Sequence, residues 1–180
     1  MKPSALTLRS NGGILNALKS QVLLTSVFIE GEKPKEIVIM GIWDTGATNS
    51  VITRKAVEAL DLKPISRTVV STANGECEAN VYLVNIVLPS NVAIQAVRVT
   101  EGKLGNDDEM LIGMDIITLG DLSITNLNGN TVMTFRTPSC NEVDYVKDIE
   151  IKVEKDRRQQ GLNTYSPSKT SKKKRQRAKR

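Results

Sequence analysis

Histidine is absent from this chain of 180 residues, and its absence removes several kinds of chemistry at once. Without an imidazole or a cysteine cluster, a zinc enzyme and a Ser–His or Cys–His triad are excluded. Cysteine is nearly absent too. Cys77 and Cys140 are the two present, and their spacing suggests neither a disulfide framework nor a metal site. Aromatic residues make up 3% of the chain, so a core must be packed from Val, Ile, Leu and Ala, which suits strands. No apolar run reaches the roughly 18 residues of a membrane-spanning helix. The opening "MKPSALTLRSNGG" lacks the apolar stretch of a secretory leader, which points to the cytoplasm. Any hydrolysis is left to carboxylates, lysines or hydroxyls, with no metal and no cofactor implied.

What is present is unevenly placed. The net charge is +5, yet "KTSKKKRQRAKR" at 169–180 holds eight Lys and Arg and no acid. Taking those eight from the 25 basic residues leaves 17 against 20 acidic ones, so the basicity belongs to the tail. Such a tail gains affinity for nucleic acid by counterion release. It carries no interleaved aromatics and no base-reading element, so weak, non-specific contact or plain solvation is expected.

Four regions follow from patterning. Residues 1–19 are polar and glycine-containing and read as a flexible arm. Residues 20–138 form the folded domain, 139–161 a charged extension, and 162–180 a disordered basic tail. Within the domain, "VLLTSVFIEG" and "EIVIMGIW" read as strands, the second apolar enough to be covered on both faces. "TRKAVEAL" reads as a short helix with Thr53 as N-cap and Ala56, Val57 and Leu60 inward. Asn74–Gly75 and Asn128–Gly129 mark hairpin turns. Short strands, two short helices and regular turns give an all-β barrel or sandwich. In the extension, Val143, Val146 and Ile149 fit a helix, whereas Ile149, Ile151 and Val153 fit a strand.

One stretch carries chemistry. "GIWDTGATNSVI" drives an apolar strand straight into Asp44, and a carboxylate among buried neighbours is costly unless its charge is shared. Its plainest role is to cap a turn. A paired role has more consequence. Two close carboxylates cannot both ionise, so one accepts a proton from water while the other donates to a carbonyl. Gly46 permits a sharp turn, and small Ala47 leaves room beside it. Leu111-Ile112-Gly113, a second apolar-apolar-glycine element, comes 67 residues after Gly46.

Together, "IWDTGATNSVI", "STANGE" and "LIGMDII" resemble the retropepsins, the retroviral-type aspartic proteases, and look closest to cellular and bacterial single-domain members. The resemblance covers roughly residues 20–137. It implies a closed β-barrel with short helices that acts as a two-fold homodimer, each copy giving one aspartate to the dyad. On that reading Asp44 is catalytic, Thr45 interlocks with its symmetry mate, and Gly46 and Ala47 line the peptide cleft. Ser71, Thr72, Ala73, Asn74, Gly75 and Glu76 form the flap over an extended peptide substrate, with Cys77 at its edge. Leu111, Ile112 and Gly113 form a second structural loop beneath the catalytic turn.

The chain also departs from the retroviral pattern. Thr48 and Asn49 stand where acids are usual, and Met114 stands where an arginine follows the second glycine, while Asp115 keeps a common acid. Two other readings stay open: a non-catalytic peptide-binding module on the same barrel, and a nucleic-acid-associated protein led by its tail. Trp43 is expected to point away from Asp44 by strand alternation. Asp107, Asp108 and Glu109 are expected to be solvated, and Asp115 and Asp121 to be helix-associated polar residues.

Overall fold

The structure is a computed structural model that describes residues 3–159, apart from 29, 32, 73–74 and 106–107. It divides into two units, Met1–Cys140 and Asn141–Arg180.

The first unit holds ten strands. β1 is Ser4–Arg9, β2 Lys19–Ser26, β3 Glu36–Trp43, β4 Val51–Ile52 and β5 Ser66–Thr72. β6 is Gly75–Leu88, β7 Val92–Glu101, β8 Met110–Ile112, β9 Asp121–Thr125 and β10 Val132–Thr137. Helix α1 spans Arg54–Ala59 and α2 spans Met114–Ile117. The larger sheet runs β2-β3-β8-β4-β7-β6-β5, and β2 also pairs with β6. That extra pairing, from Leu23 opposite Val87 to Ser26 opposite Val84, closes six strands into a barrel. A closed barrel leaves no unpaired edge among those six. β5 lies outside the ring, held on the long β6 as a hairpin arm.

The core is aliphatic, as the scarcity of aromatics demands. Val22, Leu24, Ile52, Val84, Ile86, Val99 and Ile112 are wholly buried. A second sheet, β1-β10-β9, brings Leu6, Met133 and Phe135 into the same core. Phe135 meets Trp43 with ring centroids 5.2 Å apart, tilted at 51°. The Trp43 indole N–H donates to the buried Ser20 hydroxyl at 3.0 Å. Trp43 is therefore core, facing away from the turn that follows it.

Three expectations need correction. Residues 4–9 are not a flexible arm. β1 pairs antiparallel with β10, and Leu6 is buried opposite Phe135. The alternation of Leu6 and Leu8 with Ala5, Thr7 and Arg9 fits an edge strand with one face on a core. β3 is not covered on both faces: Ile39, Gly41 and Trp43 are buried, while Val38 and Met40 are exposed. A barrel strand has a single inner face, and Val38 and Met40 lie on the other one. Asp108 is not solvated. It is buried and pairs with the Lys19 ammonium at 2.6 Å, and Glu109 pairs with Lys55. Asp107 lies outside the described residues.

α1 forms as its sequence predicts. The Thr53 hydroxyl accepts from the Ala56 N–H at 3.5 Å, and Ala56, Val57 and Leu60 are buried. In the second unit the helical alternative holds. α3 spans Tyr145–Gln159, with Asp144 accepting from the Val146 and Lys147 N–H groups at its start. All of its side chains are exposed. Among the described residues, no helix is long and apolar enough to cross a membrane.

Candidate active site

The barrel's topology makes the site. β8 lies between β3, to which it is parallel, and β4, to which it is antiparallel. The chain leaving β3 at Trp43 must therefore loop over the end of β8 before it can return as β4. Residues 44–50 are that loop. Asp44 opens it, its N–H donating to the Ile112 carbonyl at 3.0 Å. Its carboxylate is half-buried and accepts the Gly46 N–H at 2.8 Å, while its carbonyl accepts from Ala47 at 3.3 Å. Among the described residues, no second carboxylate bonds to Asp44. Thr45 and Gly46 are exposed at the tip, and Ala47 is half-buried.

Leu111, Ile112 and Gly113 lie beside this loop. Gly113 is there because nothing larger fits. A Cβ on it would sit 2.6 Å from the Asn49 carbonyl carbon, 2.8 Å from the Asn49 oxygen and 2.9 Å from the Ala47 oxygen. These are backbone atoms and cannot swing aside. α2 begins at once, and its first amides, which have no partner within the helix, are used on the loop. The Met114 N–H donates to the Ala47 carbonyl at 2.8 Å and the Asp115 N–H to the Thr48 carbonyl at 3.2 Å. The loop is thus fixed from below by backbone hydrogen bonds.

Ser50 closes the arrangement, and no sequence signal marks it. Its hydroxyl, wholly buried, accepts the Gly113 N–H at 3.1 Å and donates to Asp115 at 2.8 Å. Asp115 is helix-associated, as expected, and accepts the Ile116 N–H at 3.0 Å. It also ties α2 to the loop. A small polar residue just before a strand has no pattern that reveals such a node.

The residues assigned to the flap fall on the hairpin of β5 and β6 and its turn. Its arms pair from Ser66 opposite Val81 to Thr72 opposite Gly75, with Gly75 at φ +110°. Ser71 and Glu76 face each other in this ladder. Ala73 and Asn74, assigned to the flap tip, lie outside the described residues. Cys77 is an exposed free thiol on β6, and Cys140 is exposed.

Beneath the hairpin, four side chains form a polar cluster. The Tyr82 hydroxyl donates to Glu101 at 2.7 Å, and the Asn80 amide and Arg54 guanidinium donate to the same carboxylate. Burial of Glu101 works to raise its pKa, but the hydrogen bonds from Tyr82 and Asn80 and the charge of Arg54 outweigh it and leave it lowered. Tyr82 is raised, by burial and then by its bond to Glu101. Asp121 is not part of a helix, as had been expected, but starts β9 and pairs with Arg136 at 2.7 Å. Among the described residues there is no cluster of His, Cys, Asp and Glu able to hold a metal.

Comparisons with known proteins found similar solved structures and one family model. The chain resembles a retropepsin-like aspartic protease from Rickettsia conorii at 14% identity and TM-score 0.45, covering 76% of this chain and 97% of that one. It also resembles the simian foamy virus (mac) protease at 19% identity and TM-score 0.39, over 56% and 91% of the two chains. The retroviral protease-like domain of Ddi1 from Leishmania major matches at 16% identity and TM-score 0.38, over 66% and 94%. Curated protein sequences gave no match. The sequence model of the aspartyl protease family matches residues 27–116, half of the chain and the whole of the β3–β8–β4 arrangement with its loop. The chain belongs to the aspartyl protease family.

Proposed function

We propose that this protein is an aspartic endopeptidase, active as a two-fold homodimer on extended polypeptide substrates. The observation that carries the reading is half-buried Asp44, presented on a braced loop with Gly46 as its carboxylate's hydrogen-bond donor and, among the described residues, no second carboxylate bonded to it. A single such group is half a dyad, and a two-fold interface supplies the other half from an identical patch. Thr45, exposed at the loop tip, meets its counterpart there on this reading.

In the dimer the two aspartates share one proton and hold a water between them. The ionised carboxylate takes a proton from that water as its oxygen attacks the scissile carbonyl. The protonated carboxyl gives its proton to the carbonyl oxygen, leaving a neutral tetrahedral diol. Collapse of the diol breaks the C–N bond as the amide nitrogen is protonated and a diol proton returns to the dyad. No metal and no covalent intermediate is used. The hairpin of β5 and β6 offers backbone groups to an extended peptide, which binds as an added strand.

The test is cleavage of a diverse peptide pool between about pH 4 and 7, comparing wild type with Asp44→Asn at matched concentration. Defined cuts are expected from the wild type, with a rate rising faster than linearly near the dimer dissociation constant. The variant should lose a factor on the order of 10³. Identical cutting by both proteins would sink the proposal. If neither cuts and both bind peptide equally, the barrel is a binding module.

A further inference from the structure

A cavity of about 870 Å³ lies between the hairpin of β5 and β6 and the strands that flank the Asp44 loop. Its walls include Val51, the first residue of β4 after that loop, and Leu111, the β8 residue paired with it. Val70, Ala79 and Leu104 add to the apolar lining. The charges around it are unequal: Arg54, Arg67 and Lys103 against Glu78 and Glu101.

Both carboxylates are already matched. Glu101 accepts from Tyr82, Asn80 and Arg54, and Glu78 faces Arg67 at 4.0 Å. Lys103 is exposed and, among the described residues, has no ion-pair or hydrogen-bond partner. The Arg67–Glu78 pair is long and about three-quarters exposed on both sides, so it holds Arg67 weakly. A ligand entering the cavity therefore meets an apolar wall and a cationic rim.

Resting on the peptidase reading above, we propose that this cavity selects substrates bearing an apolar side chain with an acidic one two positions away, and that Lys103 and Arg67 read the acid. The two-residue interval follows from strand geometry. In an extended peptide, side chains i and i+2 share a face about 7 Å apart, so one fills the pocket while the other reaches its rim. Arg54 is less free to take part, since it already bonds Glu58 and Glu101.

Cys77 makes the proposal testable apart from catalysis, because it is an exposed thiol in the lining of the same cavity. Three sets of decapeptides would be compared, each with a fixed Leu flanked two positions to either side by Glu, Gln or Lys. Wild type should cleave the Glu set over the Lys set by a factor on the order of five, as exposed charge pairs allow. The double variant Arg67→Glu, Lys103→Glu should invert that order, and Arg67→Gln, Lys103→Gln should abolish it. In full-length Asp44→Asn, Cys140→Ser protein, the Glu set should protect Cys77 from iodoacetamide at the lowest peptide concentration. Equal cleavage of the three sets, or an order unchanged by charge reversal, overturns the proposal and leaves the peptidase reading standing. Glu-selective protection of Cys77 with no cleavage by wild type does the reverse. Neither cleavage nor protection overturns both.

Discussion

The Ser50 hydroxyl joins the Gly113 amide to the Asp115 carboxylate, at 3.1 Å and 2.8 Å, and so ties the end of the Asp44 loop to the helix beneath it. Ser50→Ala removes one partner from each of two groups while the site stays closed to water. A buried N–H left unmet costs about 1–3 kcal/mol, so a loss of unfolding free energy of that size, read as a lower denaturation midpoint, is expected. Peptide cleavage should fall further than stability does, because the loop positions Asp44. Chemical denaturation followed by the single Trp43, alongside cleavage rates, separates the two effects. A midpoint equal to wild type would mean that the node is not structural.

Gly113 has a steric reason to be glycine. In Gly113→Ala the new methyl meets the Asn49 and Ala47 backbone at under 3 Å, and either the loop or β8 must move. Overpacking of this kind costs about 1–3 kcal/mol, and the shift falls on the loop carrying Asp44. The expected result is a folded protein with little or no peptidase activity. Cleavage at the wild-type rate would show that the loop can give way without displacing Asp44. Gly105→Ala, at a position where a Cβ meets nothing within 4 Å, is the matched control and should change little.

Much of this was legible in the sequence because local signals and global fold agree. The period-two strands, Thr53 before its helix, and the Asn128–Gly129 turn, with φ of +54° and +72°, each formed where their chemistry points. Asp44 stood out because a carboxylate following an apolar strand demands an explanation. What escaped notice depends on partners distant in the chain. Leu6 is core because β10, some 130 residues later, pairs with its strand. Asp108 is buried because Lys19 reaches it. Ser50 matters because of Gly113 and Asp115. No local pattern encodes such pairings. The open outer face of β3 was misread for a related reason: an apolar run shows that burial is affordable, not that a covering layer exists.

Acid sensitivity should have one traceable component. The Asp121 carboxyl is held at about 2, first by the Ser139 hydroxyl and then by the Arg136 guanidinium and the Cys140 N–H. Its ordinary value is 3.8, so between these two values the unfolded chain binds the proton that the folded one refuses. Stability from this group is complete above the higher value and is lost as pH falls through the lower one. Asp121→Asn should therefore be less stable than wild type near neutrality, with the difference closing as pH falls from about 5 to about 2. Urea midpoints across that range give the measurement. A gap independent of pH would assign the effect to lost hydrogen bonds rather than to charge.

The segment beyond Cys140 offers the sharpest division between fold and function. α3 buries none of its side chains, and the closed barrel and the β1-β10-β9 sheet are complete by Thr137. Ser139 and Cys140 still serve Asp121, so the boundary for a cut lies after Cys140. A chain ending there should keep its thermal midpoint and its cleavage of short peptides, since every residue assigned to the loop, the hairpin and the cavity is retained. Any salt-dependent, non-specific adhesion of the full chain to DNA should be lost with the tail, because the eight basic residues of 169–180 are gone. If the shortened chain instead loses dimerisation and activity together while remaining folded, α3 or the tail belongs to the two-fold interface. The dyad would then depend on contacts outside the barrel.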